Sequence, residues 1–139
     1  MRRIRLKRLS PAAVVPSRAT EGSLHDLQAS EEAVLRAEEV TKVPTGLSLE
    51  VPRGHTLFLR DRSSLALLGL QVVGGVIDSD YRGEIFVLIR NHGRRAHVVS
   101  PGDRVAQLQL ARDLLDGFDE ATSLSETARA AGGFGSTGK

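Results

Sequence analysis

The chain has no cysteine among its 139 residues. A disulfide framework and a metal site built from thiolates are therefore both excluded. The absence of disulfides fits the reducing cytoplasm, which is the location that we expect. No apolar run approaches the roughly 18 residues that a membrane helix needs, so we expect no membrane association. Residues 1–9 are basic but are not followed by an apolar segment, which argues against a signal peptide.

Aromatic residues are also scarce, with no Trp, one Tyr and four Phe. Proteins that bind single-stranded nucleic acid usually offer aromatic side chains on which bases stack. Residues 3–9 are rich in Arg and Lys, but Ile4 and Leu6 alternate with them, which is the pattern of an edge strand with one solvated face. The net charge of the chain is only +2. We therefore predict no direct nucleic-acid binding.

Glycine, in contrast, is abundant, with 14 residues, and 40% of the chain is hydrophobic. Short alternating apolar runs recur about every 8 to 12 residues, which is typical of a β-sandwich or barrel. The predicted strands cover residues 47–51, 56–60, 70–73, 84–91, 96–99 and 104–111, with turns predicted at 43–46, 52–55, 92–95 and 100–103. Residues 31–39 would favour a helix by composition, although their apolar positions do not repeat every 3.6 residues. A chain of this length is expected to form one domain.

The central feature of the chain is residues 75–83, which carry Asp78, Asp80 and Tyr81 between two glycines. Strand-like apolar runs lie immediately before and after this stretch. Two strands joined by a Gly-, Asp- and Ser-containing connection predict a β-hairpin with a tight turn. Because Asp residues in such turns are commonly structural, the stretch alone does not distinguish a turn from a catalytic site.

A second feature is a group of one basic and two hydroxyl side chains, Arg62, Ser63 and Ser64, ahead of a predicted short helical turn at residues 65–68. Hydroxyls and backbone N–H groups at a helix start bind anions, and an arginine adds a charge-assisted hydrogen bond. The group therefore fits a phosphate-binding site. A serine at such a position is, however, more often only a helix cap.

Two further stretches carry polar groups of interest. Residues 102–108 contain Gln107 at a strand start, together with Asp103 and Arg104, for which we predict a structural ion-pair role. Residues 133–139 match the first seven positions of the phosphate-loop pattern G-x-x-x-x-G-K. A phosphate loop also needs a strand before it and a helix after it. The sequence offers neither, so we do not predict a phosphate loop here.

Five stretches resemble, in chain order, the five motifs of the deoxyuridine triphosphatases (dUTPases): residues 19–27, 62–66, 75–83, 102–108 and 129–138. The resemblance spans residues 19–138 and implies an all-β fold, a jelly-roll-like antiparallel β-barrel with one short helix. It assigns residues 1–128 to the barrel domain and residues 129–139 to a flexible C-terminal arm that closes over the active site. It also implies a homotrimer with shared active sites, and Mg²⁺ as the cofactor. The family alignment replaces the helix-like part of residues 28–42 with a loop and short strands.

The resemblance also implies roles for individual residues. Asp78 matches the base that activates the attacking water, and Gln107 is the second residue expected at the catalytic centre. Tyr81 matches the residue that packs against the deoxyribose and excludes a ribose hydroxyl. Asp26 matches a residue that holds a water on Mg²⁺. The residues expected to bind dUTP are Arg62, Ser63, Ser64, Gly75, Val76, Ile77, Asp78, Tyr81, Phe86, Arg129, Phe134, Gly135, Ser136 and Thr137.

The implied reaction is the hydrolysis of dUTP to dUMP and pyrophosphate, which limits uracil incorporation into DNA and supplies dUMP for thymidylate synthesis. The chain departs from the family pattern at His25, where Tyr is usual, at Asp61, where Pro or Gly is usual, and at Ala130, where Gly is usual. Two alternatives remain open. One is a dCTP deaminase-like enzyme, which has a similar Arg-Ser-Ser-Leu-Ala run, although residues 77–83 and the Gly-Phe-Gly-Ser-Thr-Gly tail favour a dUTPase. The other is a non-catalytic binding or regulatory module on the same fold.

Overall fold

The structure is a computed structural model that describes residues 3–136 and 138. Within these residues, eleven strands and one short helix follow one another along the chain. The elements are β1 (Arg5–Arg8), β2 (Ser17–Arg18), β3 (His25–Gln28), β4 (Ala33–Leu35), β5 (Val40–Glu50), β6 (His55–Arg60), α1 (Ser63–Ala66), β7 (Leu70–Val73), β8 (Val76–Ile77), β9 (Glu84–Asn91), β10 (His97–Val99) and β11 (Arg104–Arg112). The prediction of an all-β fold with one short helix is confirmed.

Three antiparallel sheets enclose the core. One sheet has four strands in the order β1-β5-β9-β7, and a second has five in the order β2-β3-β11-β6-β8. The third consists of β10 and β4. β1 pairs with β5 at the edge of the first sheet, with Leu6 opposite Leu49, which confirms the edge strand predicted from the alternation in residues 3–9.

The core consists of aliphatic side chains from alternate strand positions. In β9, Ile85, Val87 and Ile89 are buried, whereas the residues between them are half-buried. Leu57 and Leu59 of β6 alternate with their neighbours in the same way. Because successive side chains of a strand point to opposite faces, this alternation turns one face of each sheet to the interior. Burying one such side chain stabilises the fold by about 1.5–3 kcal/mol.

The turn predicted at residues 43–46 is wrong, because β5 continues through it. The register of β5 against β9 shifts within this stretch, so the residues form a bulge and not a chain reversal. Gly46 has φ +67°, and a Cβ on it would lie 3.0 Å from the Cβ atoms of Ala13 and Ser10. The Pro-Thr-Gly sequence therefore marks a place where the strand bends and another segment packs closely against it.

β7 and β9 pair antiparallel, as predicted for the strands on either side of the central stretch, with Val73 opposite Leu88. The predicted tight turn between them is wrong. Residues 74–83 leave this sheet, and β8 within them pairs with β6 of the five-stranded sheet. Gly74 and Gly75, with φ +76° and +56°, allow the chain to depart at this point. We call residues 74–83 the hairpin loop.

Residues 28–42 contain β4 and the start of β5 with loops between them, so the prediction of a loop and short strands is confirmed. Sheet pairing overrides the helical composition of residues 31–39, since Val34 of β4 lies opposite Val98 of β10.

The chain leaves the barrel after β11. Asp113 donates its N–H to the Gly54 carbonyl (2.9 Å), and its carboxylate accepts the Thr56 hydroxyl (2.7 Å). Large apolar side chains then follow at 67 to 90% exposure, namely Leu114, Leu115, Phe118 and Leu124. In the part of the chain that the structure describes, no helix is long and apolar enough to span a membrane.

Candidate active site

Two arginine side chains meet one buried carboxylate on the five-stranded sheet. Arg62 Nε lies 3.3 Å from Asp26 Oδ1, and Arg104 Nη1 lies 3.6 Å from Asp26 Oδ2. The side chain of Asp26 is 6% exposed and that of Arg62 is 19% exposed, so water has little access to their contact. We call these three residues the arginine cluster. The predicted ion-pair role of Asp103 is wrong, because its carboxylate instead accepts the Ser100 N–H (2.8 Å).

A bulge in β11 brings Arg104 to Asp26. The register of β11 against β3 shifts between Arg104 and Ala106, so that Arg104 lies opposite Gln28. In an unbroken register, Val105 would take that position and the Arg104 side chain would turn to the core. Val105 and Ala106 are both buried, at 1% and 0% exposure, which is the physical reason for two consecutive small apolar residues here.

Arg62 makes further contacts at the start of α1. Its Nη1 donates to the backbone carbonyl of Arg104 (3.2 Å) and to Ser64 Oγ (3.4 Å). The helix begins at Ser63, two residues before the predicted helical turn, and no side chain within the described residues caps it. Ser63 and Ser64 are exposed. Both side chains are therefore accessible to solvent, and neither caps the helix.

Gln107 lies opposite Asp26 of β3 and opposite Arg60 of β6. Directly opposite residues of an antiparallel pair project to the same sheet face, so Gln107 lies on the face that carries the arginine cluster. On the same face, Arg60 Nε donates to Gln109 Oε1 (2.9 Å) and its guanidinium lies 4.8 Å from the centre of the Phe58 ring. The structure thus brings together residues of three predicted motifs, namely Asp26, Arg62, Ser64 and Gln107.

The hairpin loop lies along β6. Its short strand β8 pairs with β6 and is the last strand of the five-stranded sheet. The Leu59 N–H donates to the Gly75 carbonyl (2.7 Å), and a Cβ on Gly75 would lie 2.8 Å from the Leu59 carbonyl oxygen. Only glycine allows this close approach. One backbone edge of β8 therefore binds β6, and the other is the outer edge of the sheet, where backbone groups can pair with a ligand.

A compact turn follows β8. The Tyr81 N–H donates to the Asp78 carbonyl (3.2 Å), and Tyr81 Oη donates to the Glu84 carbonyl (2.7 Å). Arg82 Nη1 donates to the Ser79 carbonyl (2.7 Å). Asp78 is exposed, and Tyr81 is 40% exposed. The predicted base and the predicted sugar-packing ring therefore both lie at the surface, within reach of a ligand.

Within one chain, the hairpin loop and the arginine cluster lie toward opposite ends of β6. Ile77, the residue before Asp78, is opposite Leu57, whereas Arg62 follows the far end of the strand. β6 ends at Arg60, and at about 3.3 Å per residue its three steps from Leu57 to Arg60 span about 10 Å. Arg62 lies two residues beyond that end. Within one chain, the hairpin loop and the arginine cluster are therefore separated along β6.

The predicted arm is exposed. Arg129 Nε donates to the Gly132 carbonyl (2.7 Å), and the Gly133 N–H donates to Ser136 Oγ (2.8 Å). These contacts lie within the tail itself. Phe134 is 115% exposed, and Gly135 is exposed as well. Thr137, which was also predicted to bind dUTP, lies outside the described residues.

Phe86, another residue predicted to bind dUTP, lies on β9 opposite Pro44. It is half-buried, and Lys42 Nζ lies 4.4 Å from the centre of its ring. Because Ile85 and Val87 on either side point to the core, Phe86 faces outward from the four-stranded sheet. It therefore lies on a different sheet from the arginine cluster, and its role in binding stays a prediction.

Asp26 does not fit the role of holding a water on Mg²⁺ in this chain. Its side chain is almost fully buried, and both of its oxygens face guanidinium groups. Among the described residues, no three His, Asp or Glu side chains lie close enough together to hold a metal ion. Mg²⁺ prefers oxygen ligands and gives up its waters reluctantly. A magnesium ion would therefore need a ligand that supplies oxygens of its own.

The sequence did not predict two of the contacts in this region. The pairing of Arg104 with Asp26 depends on the bulge, whose signal is the adjacent apolar pair Val105 and Ala106. Asp61 Oδ1 accepts the Val72 N–H (2.6 Å) and so ties the exit of β6 to β7. No local sequence pattern indicates this second contact, because the two residues come together only in the folded sheet arrangement.

Comparison with known proteins adds to this geometry. The family model described as dUTPase matches residues 11–138. The chain is similar to the deoxyuridine 5'-triphosphate nucleotidohydrolase of Avian adenovirus 8, with 46% identity over 134 residues that cover 95% of this chain and 82% of the relative. It is also similar to the enzyme of the same name from Wolinella succinogenes, with 43% identity over 141 residues that cover 99% of this chain and 95% of the relative.

Solved structures show the same architecture. The dUTPase of Staphylococcus bacteriophage 80alpha with dUpNHpp superposes with a TM-score of 0.87 at 22% identity, and the match covers 100% of both chains. The dUTPase of phage phi11 of S. aureus, described with a structural Mg(II) ion, gives a TM-score of 0.81 at 19% identity and covers 88% of this chain and 98% of that one. At these identities, the likeness shows a shared fold.

Proposed function

The chain belongs to the dUTPase family and is a dUTP diphosphatase, and we propose how its residues hydrolyse dUTP to dUMP and pyrophosphate. Asp78 takes a proton from a water molecule, and that water attacks the α-phosphorus in line. As the new P–O bond forms, the bond from the α-phosphorus to the oxygen bridging to the β-phosphorus breaks, and pyrophosphate leaves. In the cytoplasm, this reaction would limit uracil incorporation into DNA and supply dUMP.

The hairpin loop recognises the base and the sugar in this proposal. The outer backbone edge of β8, formed by Val76 and Ile77, pairs with the uracil, and Gly75 allows the close packing of this strand on β6. The exposed Tyr81 ring packs against the deoxyribose. Backbone recognition is supported by the position of β8 at the edge of the sheet.

The phosphates bind on the face that carries the arginine cluster. Arg62, Ser63 and Ser64 bind the phosphate oxygens, and Gln107 lies beside them, near the α-phosphate and the attacking water. Charge-assisted hydrogen bonds from arginine to phosphate are among the stronger polar contacts in proteins. The observation that carries the proposal is this convergence, on one sheet face, of residues from three separate stretches of the sequence.

Each active site combines at least two chains in the proposed homotrimer. The separation of the hairpin loop from the arginine cluster along β6 supports this arrangement, because a site that combines two chains can bring the loop of one chain to the cluster of another. The exposed apolar side chains between residues 114 and 124 support association further, since exposed apolar surface of this extent is typical of a contact region.

Residues 129–139 act as an arm that closes over bound dUTP. Arg129 binds the γ-phosphate, Phe134 stacks on the uracil, and Gly135, Ser136 and Thr137 bind the substrate with them. Stacking of a base on an aromatic side chain contributes about 1–3 kcal/mol. The exposure of Phe134 supports this role, because a ring that is not packed on the barrel can order around a substrate.

Mg²⁺ is the proposed cofactor, bound mainly by the triphosphate oxygens and by water. When bound, it neutralises phosphate charge. Since the described residues form no metal site of their own, the protein's part is to bind the phosphates that carry the ion. Phe86 is retained as a proposed binding residue at the outer face of β9.

The proposal is tested by measuring pyrophosphate release from dUTP, dTTP, dCTP and UTP, with and without Mg²⁺. We expect release from dUTP only, and we expect it to depend on Mg²⁺. Release of ammonia from dCTP would instead indicate a dCTP deaminase-like enzyme. Binding of dUTP without any pyrophosphate release would indicate a non-catalytic module.

A further inference from the structure

We propose that Asp26 is a positioning residue that orients Arg62 toward the triphosphate, and that it does not hold a water on magnesium. The proposal rests on the proposed function, because it takes Arg62 as a phosphate-binding residue. It reverses the role that the family resemblance implies for Asp26.

The contacts of Arg62 fix the direction of its guanidinium group. Nε faces Asp26 Oδ1 at 3.3 Å, and Nη1 donates to the Arg104 carbonyl at 3.2 Å. A guanidinium is a planar group, so two fixed nitrogens determine where the third one points. Within the described structure, Nη2 is the nitrogen of Arg62 that these contacts do not use. Asp26 therefore decides where Arg62 presents its remaining donors.

Asp26 and Arg62 depend on each other. Asp26 Oδ1 and Arg62 Nε are both buried, and among the described residues neither makes a hydrogen bond, so their 3.3 Å ion pair is the contact that compensates them. Removing one partner of a buried ion pair leaves an uncompensated charge, which is strongly unfavourable. Arg104 approaches the other carboxylate oxygen at 3.6 Å, so the single negative charge also offsets the repulsion between two guanidinium groups.

The same contacts argue against a role at the metal. A carboxylate that holds a water on Mg²⁺ needs an oxygen that is open to that water. The Asp26 side chain is 6% exposed, and each oxygen already faces an arginine. Neither Asp26 oxygen is therefore open to a metal-bound water.

A double-mutant cycle tests the proposal, with Asp26→Asn, Arg62→Gln and the combined variant in the full-length oligomer. Two quantities are measured: kcat/KM for dUTP at saturating Mg²⁺, and the affinity for non-hydrolysable dUpNHpp in EDTA. We expect Asp26→Asn alone to lower both by about 10- to 100-fold, with an unchanged half-saturating Mg²⁺ concentration. In the Arg62→Gln background, we expect it to change either quantity by less than about twofold.

Two results would overturn the proposal. One is additive losses in the combined variant. The other is a loss that appears only with Mg²⁺ and is rescued by excess Mg²⁺, which would return Asp26 to the metal. If Arg62→Gln leaves dUpNHpp binding unchanged, the assignment of Arg62 in the proposed function fails instead.

The chain offers a control in Asp113, an exposed carboxylate outside the arginine cluster and the hairpin loop, which accepts the Thr56 hydroxyl (2.7 Å). Asp113→Asn should leave both quantities unchanged. If Asp26→Asn does not fold, Arg62→Lys provides the test with Asp26 in place. Lysine keeps the charge but lacks the planar fork, so we expect a loss as large as that of Arg62→Gln, and full activity would overturn the proposal.

An independent observation leads to a second proposal: we infer that Gly83 is a specificity-determining residue, because the Tyr81 ring needs the space of its missing side chain. A Cβ on Gly83 would lie 2.6 Å from Tyr81 Cζ and 2.9 Å from Cε1, and closer still to Oη. The φ of Gly83 is not in the left-handed region, so the backbone itself does not require glycine. The Tyr81 ring requires glycine at this position, because its hydrogen bond to the Glu84 carbonyl holds it where the Cβ would lie.

Gly83→Ala tests this second proposal, which rests on the sugar-packing role of Tyr81. We expect the ratio of kcat/KM for dUTP to that for UTP to fall about tenfold, because the displaced ring no longer excludes the ribose hydroxyl. Gly22→Ala is the control, since a Cβ there meets nothing within 4 Å.

If Tyr81→Ala relaxes the ratio and Gly83→Ala does not, this inference fails. If Tyr81→Ala leaves the ratio unchanged, the sugar-packing role itself fails. If Gly83→Ala does not fold, Tyr81→Phe removes the Glu84 bond alone and should lower the ratio partly; an unchanged ratio contradicts the inference.

Discussion

The arginine cluster and the hairpin loop lie beside the same strand, β6, but are held in different ways. In the cluster, a buried carboxylate holds two guanidinium groups through ion pairs. In the hairpin loop, backbone hydrogen bonds and glycines fix an exposed turn, with Asp78 and Tyr81 at the surface. The first arrangement suits a ligand with concentrated charge, and the second suits a ligand recognised by shape and by its hydrogen-bonding edge.

The comparison also shows which part of the candidate site one chain forms by itself. The cluster is complete within one chain, because β3, β6 and β11 are neighbours in one sheet. The hairpin loop lies along another part of β6, and in the proposed homotrimer it meets the cluster of another copy. In that proposal, the complete site forms only in the oligomer.

Replacing Asp78 by Asn should have the largest effect. The amide cannot accept the proton of the attacking water, so we expect kcat to fall by roughly 10²–10⁴, the usual range for a positioned base. Binding of dUpNHpp, measured by calorimetry, should change little. Turnover close to that of the unmodified enzyme would remove Asp78 from this role.

Co-expression of two variants tests whether the active site is shared between chains. Asp78→Asn and Arg62→Gln disable different regions, so co-expressed chains should form some sites from an intact hairpin loop and an intact cluster. With random assembly, about one quarter of sites would combine two intact parts. Activity that stays at the level of the two separate variants would indicate that each chain builds its own site.

Deleting residues 129–139 should have the next largest effect. The arm's contacts lie within the tail, so we expect a folded oligomer of unchanged assembly state on size-exclusion chromatography. Loss of the Phe134 stacking and the Arg129 contact should lower kcat/KM by about 10²-fold or more. A monomer on the column would show that this segment contributes to assembly.

Replacing Tyr81 by Ala should have a smaller and more selective effect. The ring is expected to exclude the ribose hydroxyl, so UTP should gain relative to dUTP by about tenfold in the ratio of kcat/KM. Activity on dUTP itself should fall less than with Asp78→Asn. Equal losses on both nucleotides would show that the ring supports the loop without selecting the sugar.

Much of this fold could be predicted from the sequence, because alternation of apolar residues reports directly on strands with one buried face. It identified β6, β7, β9 and β11, and the edge position of β1. The connections were harder. Gly74 and Gly75 signal a turn, but nothing local shows that the chain crosses to the other sheet before it returns. Likewise, the Pro-Thr-Gly sequence in β5 has the composition of a turn and forms a bulge.

The site was predictable where a motif is contiguous and unpredictable where it depends on register. Arg62 and Ser64 were expected to bind phosphate and Gln107 to lie at the catalytic centre, and the structure places Arg62 and Gln107 beside the same residue, Asp26. The partner of Asp26 was missed, since the bulge at Val105 decides which face Arg104 takes. Ala130, where the family usually has Gly, adopts φ +48°, a region that favours glycine, so the preference for glycine there has a backbone cause.

Replacing Asp61 by Ala should have the smallest effect and asks whether the two regions are linked. Its carboxylate accepts the Val72 N–H at 2.6 Å, so it joins the segment that enters the arginine cluster to the strand that leads into the hairpin loop. Loss of one such hydrogen bond should lower the free energy of unfolding by about 1 kcal/mol, measured by denaturant unfolding. Asp61→Asn keeps an acceptor and should lose less. If this hydrogen bond also positions the active-site residues, Asp61→Ala should lower kcat/KM as well. A loss of up to about 1 kcal/mol of transition-state stabilisation corresponds to a decrease of about twofold to fivefold. A stability loss with unchanged kcat/KM would show that the cluster and the hairpin loop are held independently, each by its own contacts.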